Sequence, residues 1–278
     1  RQLATARSRI IGVVTPRTSL YGPSRSVLAI EGAARERGYW VSLASLPELT
    51  GEALAAALDH FLEQSVDAVA VIAPNRSALD ALAGARDLPP LVAVTSGSAT
   101  RRVAVADSDQ AAGARLATEY LIGLGRRRIA HISGPRDFLH ARVRQDAWAA
   151  TLVGHGLEPD LVAAGDWSGQ SGLVAASRVL ASGSVDAIFA GNDLMAMGAM
   201  IALGRAGLSV PGDVAVVGFD NVPGSDVANP PLTTVDQDHE SLGRAVVELL
   251  ELQLKRGEGQ AETPMVLVPP RLIVRASA

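Results

Sequence analysis

Five polar or aromatic side chains follow stretches of sequence that are typical of buried β-strands. Arg144 lies in a helical stretch after RIAHIS, Trp167 follows a short strand in GDWSG, and Asn192 follows DAIFAG. Asp220 follows VAVVGF, and Gln237 follows LTTV. A carboxylate accepts from neighbouring hydroxyls, an amide donates and accepts, a guanidinium donates a rigid fork, and an indole face covers C–H surface. The set predicts one polar pocket with an aromatic wall for a polyhydroxylated ligand.

Each of these residues also has a purely structural interpretation. Asn192 is suited to capping the next helix, Asp220 to an Asx turn, and Trp167 to the core. The functional interpretation depends on position, because the carboxyl ends of parallel strands meet at one edge of a sheet. Taken together, the five residues favour a shared site at that edge.

The sequence lacks the common signatures of enzymes. It contains no GxGxxG after a strand, no GxxxxGK[ST], no GxSxG and no HExxH. With no cysteine, thiol catalysis, disulfides and Cys-ligated zinc are excluded. Asp107 and Asp109 form a possible carboxylate pair, but a capping and first-turn role in the next helix explains them better. We therefore expect no enzymatic activity, no cofactor and no metal. The five histidines lack metal-ligand spacing, so we expect structural or surface roles for them; they are His60, His131, His140, His155 and His239.

Short apolar runs alternate with longer stretches of helical period along the chain. RIIGVVT is typical of a strand buried on both faces, whereas SRSVLAIEGAARERG has helical spacing and ends at a glycine. Strands alternating with helices of about ten or more residues predict βαβ units and parallel sheets. These units are too many for one sheet of usual width, so we predict an α/β fold with two doubly wound parallel-sheet subdomains.

Length, turn composition and charge fit this division. At roughly 150 residues per domain, 278 residues predict about two domains. A polar ADSDQ turn and a Pro-rich NPPLTTVDQD segment mark the joins, so we expect an N-terminal subdomain of 9–106 plus 238–262 and a C-terminal subdomain of 107–237 plus 263–278. The net charge of −4 argues against nucleic-acid binding by bulk charge. No apolar run approaches the roughly 18 residues of a membrane span, so we expect no membrane partner.

Several segments, in their order and spacing, resemble the LacI/GalR family of transcription regulators over essentially the whole chain. They are SLYGPS, ARVR...AW, GDWSGQSG, AGNDLMAMGAM, VAVVGFDN and PPLTTVDQD. The resemblance implies a type I periplasmic-binding-protein-like fold with crossover strands, which periplasmic sugar-binding proteins share. It also implies an effector site whose members are Arg144, Asn192 and Asp220 as direct contacts, Trp167 as an apolar wall, Gln237 beside the crossover strands, and Leu20 and Pro23 on the first-subdomain side.

Three positions depart from one family member that the chain resembles. Thr95 stands where that protein has an aspartate after a strand, and Ile72 where it has an asparagine. His239 stands where it has a phenylalanine in the ligand cleft. We still expect Thr95 and His239 in the ligand site. The resemblance therefore implies a sugar or sugar-like effector but gives no support to a β-galactoside.

The two ends of the sequence also carry expectations. RQLATARSR resembles the end of the family's hinge helix and its linker, so residues 1–8 would be that remnant, and Leu3 would match the leucine that wedges into the operator minor groove. The alternative is a frayed basic tail. On the first interpretation the helix-turn-helix headpiece was removed by truncation or cleavage. RLIVRASA contains no leucine heptad, so we expect a two-fold homodimer.

The leading hypothesis is a cytoplasmic, non-enzymatic core of a transcription regulator. Its carbohydrate effector would bind in the cleft between the subdomains and control operator DNA binding by the headpiece, as inducer or corepressor. The alternative is a secreted sugar-binding protein of a transporter, which has the same fold. An enzyme would need a titratable pair with perturbed pKa values in the cleft.

Overall fold

The computed structural model of the protein describes residues 8–16, 20–84, 89–96, 103–256 and 264–278. Leu3, the expected hinge residue, lies outside the described residues. The elements begin with β1 (Ile10–Pro16), α1 (Tyr21–Glu36), β2 (Trp40–Leu46), α2 (Gly51–Glu63), β3 (Ala68–Ile72), α3 (Arg76–Gly84), β4 (Leu91–Val94) and β5 (Ala104–Ser108). They continue with α4 (Gln110–Gly123), β6 (Ile129–Ser133), α5 (Leu139–Gly154), β7 (Val162–Ala164), α6 (Gly169–Ser182), β8 (Ala187–Ala190), α7 (Asp193–Arg205) and β9 (Ala215–Phe219). The last are β10 (Thr233–Asp236), α8 (His239–Arg256), β11 (Met265–Val268) and β12 (Arg271–Ile273).

The chain divides into two compact units, each built on one six-stranded sheet. The first unit contains the residues up to Ser108 together with His239–Val268, and its strand order is β11-β5-β4-β3-β1-β2, all parallel. The second contains Asp109–Asp238 and Pro269–Ala278. Its order is β12-β10-β9-β8-β6-β7, parallel except for the antiparallel pair of β10 and β12. The predicted α/β fold with two doubly wound parallel-sheet subdomains is confirmed.

The sheets are central layers because helices cover both faces of their inner strands. Such strands are continuous apolar runs rather than alternating ones, and β3 (AVAVI) and β8 (AIFA) are buried at every position. In the first unit, Ile30 of α1 and Val246 of α8 belong to the core around this sheet. In the second unit, Trp148 of α5 packs with Phe189 and Phe219 of the sheet. Each unit therefore has its own hydrophobic core.

Side chains cap several of the described helices. A side chain accepts a hydrogen bond from a backbone N–H in the first turn of α2, α3, α4, α6 and α7; the capping residues are Thr50, Asn75, Asp109, Ser168 and Asn192. For Asp109 the capping interpretation is confirmed. Neither these nor the other described helices combine the length and the hydropathy needed to cross a bilayer.

Helices α6 and α7 pack backbone against backbone in the second unit. A Cβ on Gly172 would lie 2.7 Å from the carbonyl carbon of Met195, and a Cβ on Gly198 would lie 2.8 Å from the backbone nitrogen of Leu173. Glycine is required at both positions because a side chain would separate the helices. The crossing fixes the N-terminus of α7, which Asn192 immediately precedes.

Strand β11 corrects one predicted subdomain boundary. The sequence predicts 263–278 in the C-terminal subdomain, but Met265–Val268 pairs with β5 in the first sheet. A four-residue apolar run at a sheet edge does not reveal which sheet it joins, so the sequence pattern could not assign it. The other joins fall at 108/109 and 238/239 rather than at 106/107 and 237/238.

Candidate functional site

The five strand-end residues predicted from the sequence lie in the second unit. Trp167 lies between β7 and α6, and Asn192 between β8 and α7. Asp220 directly follows β9, Gln237 follows β10, and Arg144 is a buried residue of α5, the helix after β6. The loops after parallel strands therefore supply four of these side chains, and a helix supplies the fifth.

Four buried side chains form a closed set linked by three hydrogen bonds and one ion pair, here called the polar ring: Arg144, Gln110, Gln237 and Asp220. Arg144 Nε donates to Gln110 Oε1 at 2.8 Å, and Gln110 Nε2 donates to Gln237 Oε1 at 2.8 Å. Gln237 Nε2 donates to Asp220 Oδ1 at 2.6 Å. Arg144 Nη2 lies 3.8 Å from the same Asp220 oxygen and closes the ring. The structure thus joins three of the predicted residues through a fourth.

Gln110 was missed by the sequence prediction. It is the first residue of α4 and directly follows the capping residue Asp109. It is only 2% exposed. The signal that could have identified it is the one that selected the others, a polar residue just after a buried strand, because Gln110 lies two residues after the end of β5. Of the ADSDQ turn, only Asp107 and Asp109 were weighed for chemistry, and Gln110 was not among the predicted site residues.

The guanidinium of Arg144 is held on several sides. Besides its bond to Gln110, its Nη1 donates to the backbone carbonyl of Gly191. Its Cζ lies 3.6 Å from the ring centroid of Phe219 and 5.8 Å from that of Trp167, so the cation rests against aromatic faces. A buried charge is tolerated when it is paired and hydrogen-bonded, and Asp220 supplies the counter-charge.

The carboxylate of Asp220 has one oxygen engaged in the ring. Burial raises the pKa of Asp220, while Arg144, the hydrogen bond from Gln237 and the nearby His140 oppose that rise. Both the hydrogen bond from Gln237 and the ion pair reach Oδ1. Among the described residues no hydrogen bond reaches Oδ2, which leaves that oxygen able to accept from a ligand hydroxyl.

Two of the candidate residues have backbone in the left-handed region. The φ angle is 75° at Trp167 and 105° at Asp220. Bulky residues rarely adopt positive φ, and such strain clusters at ligand sites. Trp167 is nevertheless well packed: it is 8% exposed, its ring meets that of Phe138 edge-on at 5.7 Å, and it lies against Gly134. The indole is therefore part of the core as well as a candidate wall.

Asn192 acts structurally in this arrangement. Its Oδ1 accepts from the backbone N–H of Met195 at 2.9 Å, which confirms the capping interpretation. Its Nδ2 donates to the backbone carbonyl of Trp167 at 3.0 Å. Asn192 thus ties the strained Trp167 loop to the start of α7, while its contact with an effector stays a prediction.

Asp193, the next residue, anchors the loop that carries Asp220. Its carboxylate accepts from the backbone N–H of Val222 at 2.8 Å, from Ser225 Oγ at 2.6 Å and from Thr234 Oγ1. Burial raises the pKa of Asp193 to about 7 although these hydrogen bonds oppose the rise. In the part of the chain that the structure describes, acidic residues and histidines form no group of three or more that could hold a metal ion.

The other predicted site residues lie in the first unit. Leu20 precedes α1, and Pro23 is in its first turn. The rings of Tyr21 and His239 meet edge-on at 6.1 Å, which brings the first residues of α1 and α8 together. Thr95 follows β4 and is buried, and its hydroxyl has no hydrogen-bond partner among the described residues. Tyr21 was not among the site residues predicted from the sequence.

Comparisons with known proteins agree with the sequence resemblance. Residues 118–278 match a family model described as a periplasmic binding protein-like domain. The lactose operon repressor of Escherichia coli (strain K12) is 34% identical over 279 residues, which cover 99% of this chain and 76% of that protein. The structure of the lac repressor dimer bound to operator and the anti-inducer ONPF has a TM-score of 0.88 at 31% identity and covers 100% of this chain and 96% of that chain.

A second solved structure supports the same relationship. The complex of the transcriptional regulator CelR with cellobiose has a TM-score of 0.86 at 31% identity and covers 98% of this chain and 85% of that chain. These named relatives are repressors and regulators of transcription rather than enzymes. The chain belongs to the LacI/GalR family of transcription regulators and has the periplasmic-binding-protein-like fold of that family.

Proposed function

We propose that this chain is the effector-binding and dimerisation core of a LacI-type transcription regulator. It binds a sugar or sugar-like molecule and thereby controls operator binding by a DNA-binding domain. The observation that carries the proposal is the buried polar ring on the second sheet of a LacI-family chain. Relatives that include the lactose operon repressor and CelR with cellobiose favour this function over that of a transport protein.

The chemistry of the ring favours an uncharged, hydroxyl-rich ligand. The positive charge of Arg144 is compensated by Asp220, and its Nε and Nη1 already donate within the protein. Asp220 Oδ2 is suited to accept from a hydroxyl, and the indole of Trp167 to cover the C–H face of a sugar ring. Contacts from Leu20, Pro23, Thr95 and His239 of the first unit remain predictions.

Control of DNA binding requires two states of the protein that differ in operator affinity. A ligand shifts such an equilibrium only by its differential affinity for the two states, commonly about 1–3 kcal/mol of coupling. As an effector-gated repressor core of this family, the protein would act in the cytoplasm. Whether the effector weakens or strengthens operator binding depends on which state it prefers.

We also propose a homodimer in which α7 contributes to the contact. Leu194 and Ile201 of α7 are 45% and 52% exposed. They are seven residues apart, and two helical turns place both on one face. The related lac repressor structure is that of a dimer.

Calorimetry with two substitutions in the ring tests the effector site. Arg144→Ala and Asp220→Asn are titrated with cellobiose, lactose and D-glucose beside the unsubstituted chain. We expect each substitution to weaken the binding of whichever sugar the unsubstituted chain takes by about tenfold or more, since a hydrogen bond to a charged group contributes about 1.5–3 kcal/mol.

The controls come from a surface ion pair of the same unit. Arg128 and Asp160 interact at 3.2 Å with side chains 39% and 49% exposed, so Arg128→Ala and Asp160→Asn repeat the same chemical changes away from the ring. Binding that is unchanged in both ring variants would show that the ligand sits elsewhere. A monomer in gel filtration would favour the transport protein instead.

A further inference from the structure

The hydrogen bonds of the polar ring have a fixed direction. A guanidinium can only donate, so the Gln110 atom that faces Arg144 Nε must be the amide oxygen. The amide nitrogen of Gln110 then faces Gln237 and donates to its oxygen. The nitrogen of Gln237 consequently faces Asp220 and donates to its carboxylate. One charged donor thus orients two amides in succession.

The sequence of hydrogen bonds from Arg144 through Gln110 and Gln237 to Asp220, here called the relay, joins parts of the chain that are far apart in sequence. Gln110 is 34 positions from Arg144 and 127 positions from Gln237 in sequence, and all three side chains are buried. An acceptor in place of the Gln110 amide nitrogen would face the oxygen of Gln237, and an amide of Gln237 that turned over to donate to it would point that oxygen at Asp220. In either orientation two acceptors face each other, so the donor to Asp220 depends on the donor that Gln110 supplies.

We propose that Gln110 is a positioning residue of the effector site, which orients Gln237 and through it holds the Asp220 carboxylate in its binding geometry. This inference rests on the proposed function, because it assumes that Asp220 receives the effector. Gln110 itself is engaged at both ends of its amide by Arg144 and Gln237. Its effect on the ligand is therefore indirect.

Gln110→Glu tests the relay because a carboxyl group changes its direction with protonation. The ionised form accepts from Arg144 but cannot donate to Gln237, so the amide of Gln237 turns over and its bond to Asp220 is lost. The protonated form has the same donor and acceptor pattern as glutamine and restores the relay. Gln110→Leu removes both bonds at every pH.

The measurement is the affinity for cellobiose, lactose and D-glucose by calorimetry across a pH series from about 8 to 5. Arg144 favours the ionised form of the new carboxyl, but its charge is already compensated by Asp220, so burial favours protonation at the acid end. Each variant is compared with the unsubstituted chain at the same pH, and Gln110→Leu, which adds no carboxyl, shows how much of the pH dependence comes from Asp220. We expect Gln110→Glu to bind about tenfold more weakly at pH 8 and to approach the unsubstituted chain at pH 5. The deficit of Gln110→Leu should stay constant with pH.

Gln253→Glu is the matched control. Gln253 exchanges two hydrogen bonds with the backbone of Leu91 in the first unit, at 3.0 and 2.9 Å, so the same change there perturbs a packed amide away from the ring. Its affinity ratio should stay at one at every pH. Equal affinity of Gln110→Glu and the unsubstituted chain at pH 8, or a deficit that does not change with pH, would overturn the relay while leaving the proposed function intact. Absence of binding by the unsubstituted chain would instead overturn the proposed sugar effector and, with it, this inference.

Discussion

Gly134 controls the position of the candidate aromatic wall. It directly follows β6, and a Cβ at this position would lie 2.6 Å from Trp167 Cε2 and closer still to Cζ2 and Cη2. Carbon atoms in ordinary contact are about 3.5–4.0 Å apart. In Gly134→Ala the indole must therefore retreat by about 1 Å, or the backbone after β6 must give way.

Displacing the indole costs free energy because Trp167 also contacts other residues. Its carbonyl accepts from Asn192, and its ring meets Phe138. Overpacking of this kind costs about 1–3 kcal/mol. If the displaced indole weakens the contact with the sugar by this free energy, the affinity drops by about 5- to 150-fold. If the strain destabilises the folded protein instead, the free energy of unfolding drops by about 1–3 kcal/mol.

Calorimetry with cellobiose, lactose and D-glucose and urea unfolding of the same samples separate these two outcomes. Gly123→Ala is the control: Gly123 is an exposed residue at the end of α4, and a Cβ there meets nothing within 4 Å. That variant should bind sugar normally and unfold no more easily than the unsubstituted chain. Unchanged affinity together with unchanged stability in Gly134→Ala would refute the packing argument for Trp167.

Two further predictions concern stability and assembly. Burial lowers the pKa of His131 to about 4 from its ordinary 6.5, so the unfolded chain takes up a proton between pH 6.5 and pH 4 that the folded chain does not. The contribution of His131 to the free energy of unfolding should therefore fall by about 3 kcal/mol as the pH falls through this range. The raised pKa of Asp193 acts in the opposite sense in both proteins, so the quantity to measure is the difference between the unsubstituted chain and His131→Leu, by denaturant titrations at four pH values. A difference that does not change with pH would count against this prediction. Ile201→Asp places a charge on the exposed apolar face of α7, so it should shift the dimer toward monomer. Analytical ultracentrifugation would measure the shift. The control Glu63→Asp, at the end of α2, should leave the association unchanged. A dimer as strong as that of the unsubstituted chain would exclude this face.

The sequence predicted the sheets well because their signal is local. Buried parallel strands need continuous apolar runs, and the runs of β3 and β8 are unambiguous. The same logic selected Asp220 and Gln237, since residues just after such runs reach one sheet edge. The apolar run of β11 has the same local signal, but the choice between two sheets depends on tertiary pairing, and there the prediction was wrong.

The sequence identified three of the four residues of the polar ring, but it did not predict the hydrogen bonds between them. Asn192 illustrates the difference. Its side-chain amide was predicted to contact a ligand, but in the structure it caps α7 and donates to the Trp167 carbonyl. Gly134 carries no sequence signal of its own, because its importance depends on an indole that approaches from a distant loop. Close approach of this kind arises from packing and cannot be deduced from periodicity.

Gln110 shows why the direction of a polar network was beyond the sequence prediction. A glutamine at the start of a helix is compatible with solvent, with a cap or with a buried network, and only its neighbours decide among them. Once Arg144 is known to face one end of the amide and Gln237 the other, the donor at each step follows without further choice. The sequence shows which groups of each residue can donate or accept hydrogen bonds. The polar ring, in which one oxygen of Asp220 is engaged and the other is available, forms only because folding brings four separate segments to the same edge of the second sheet.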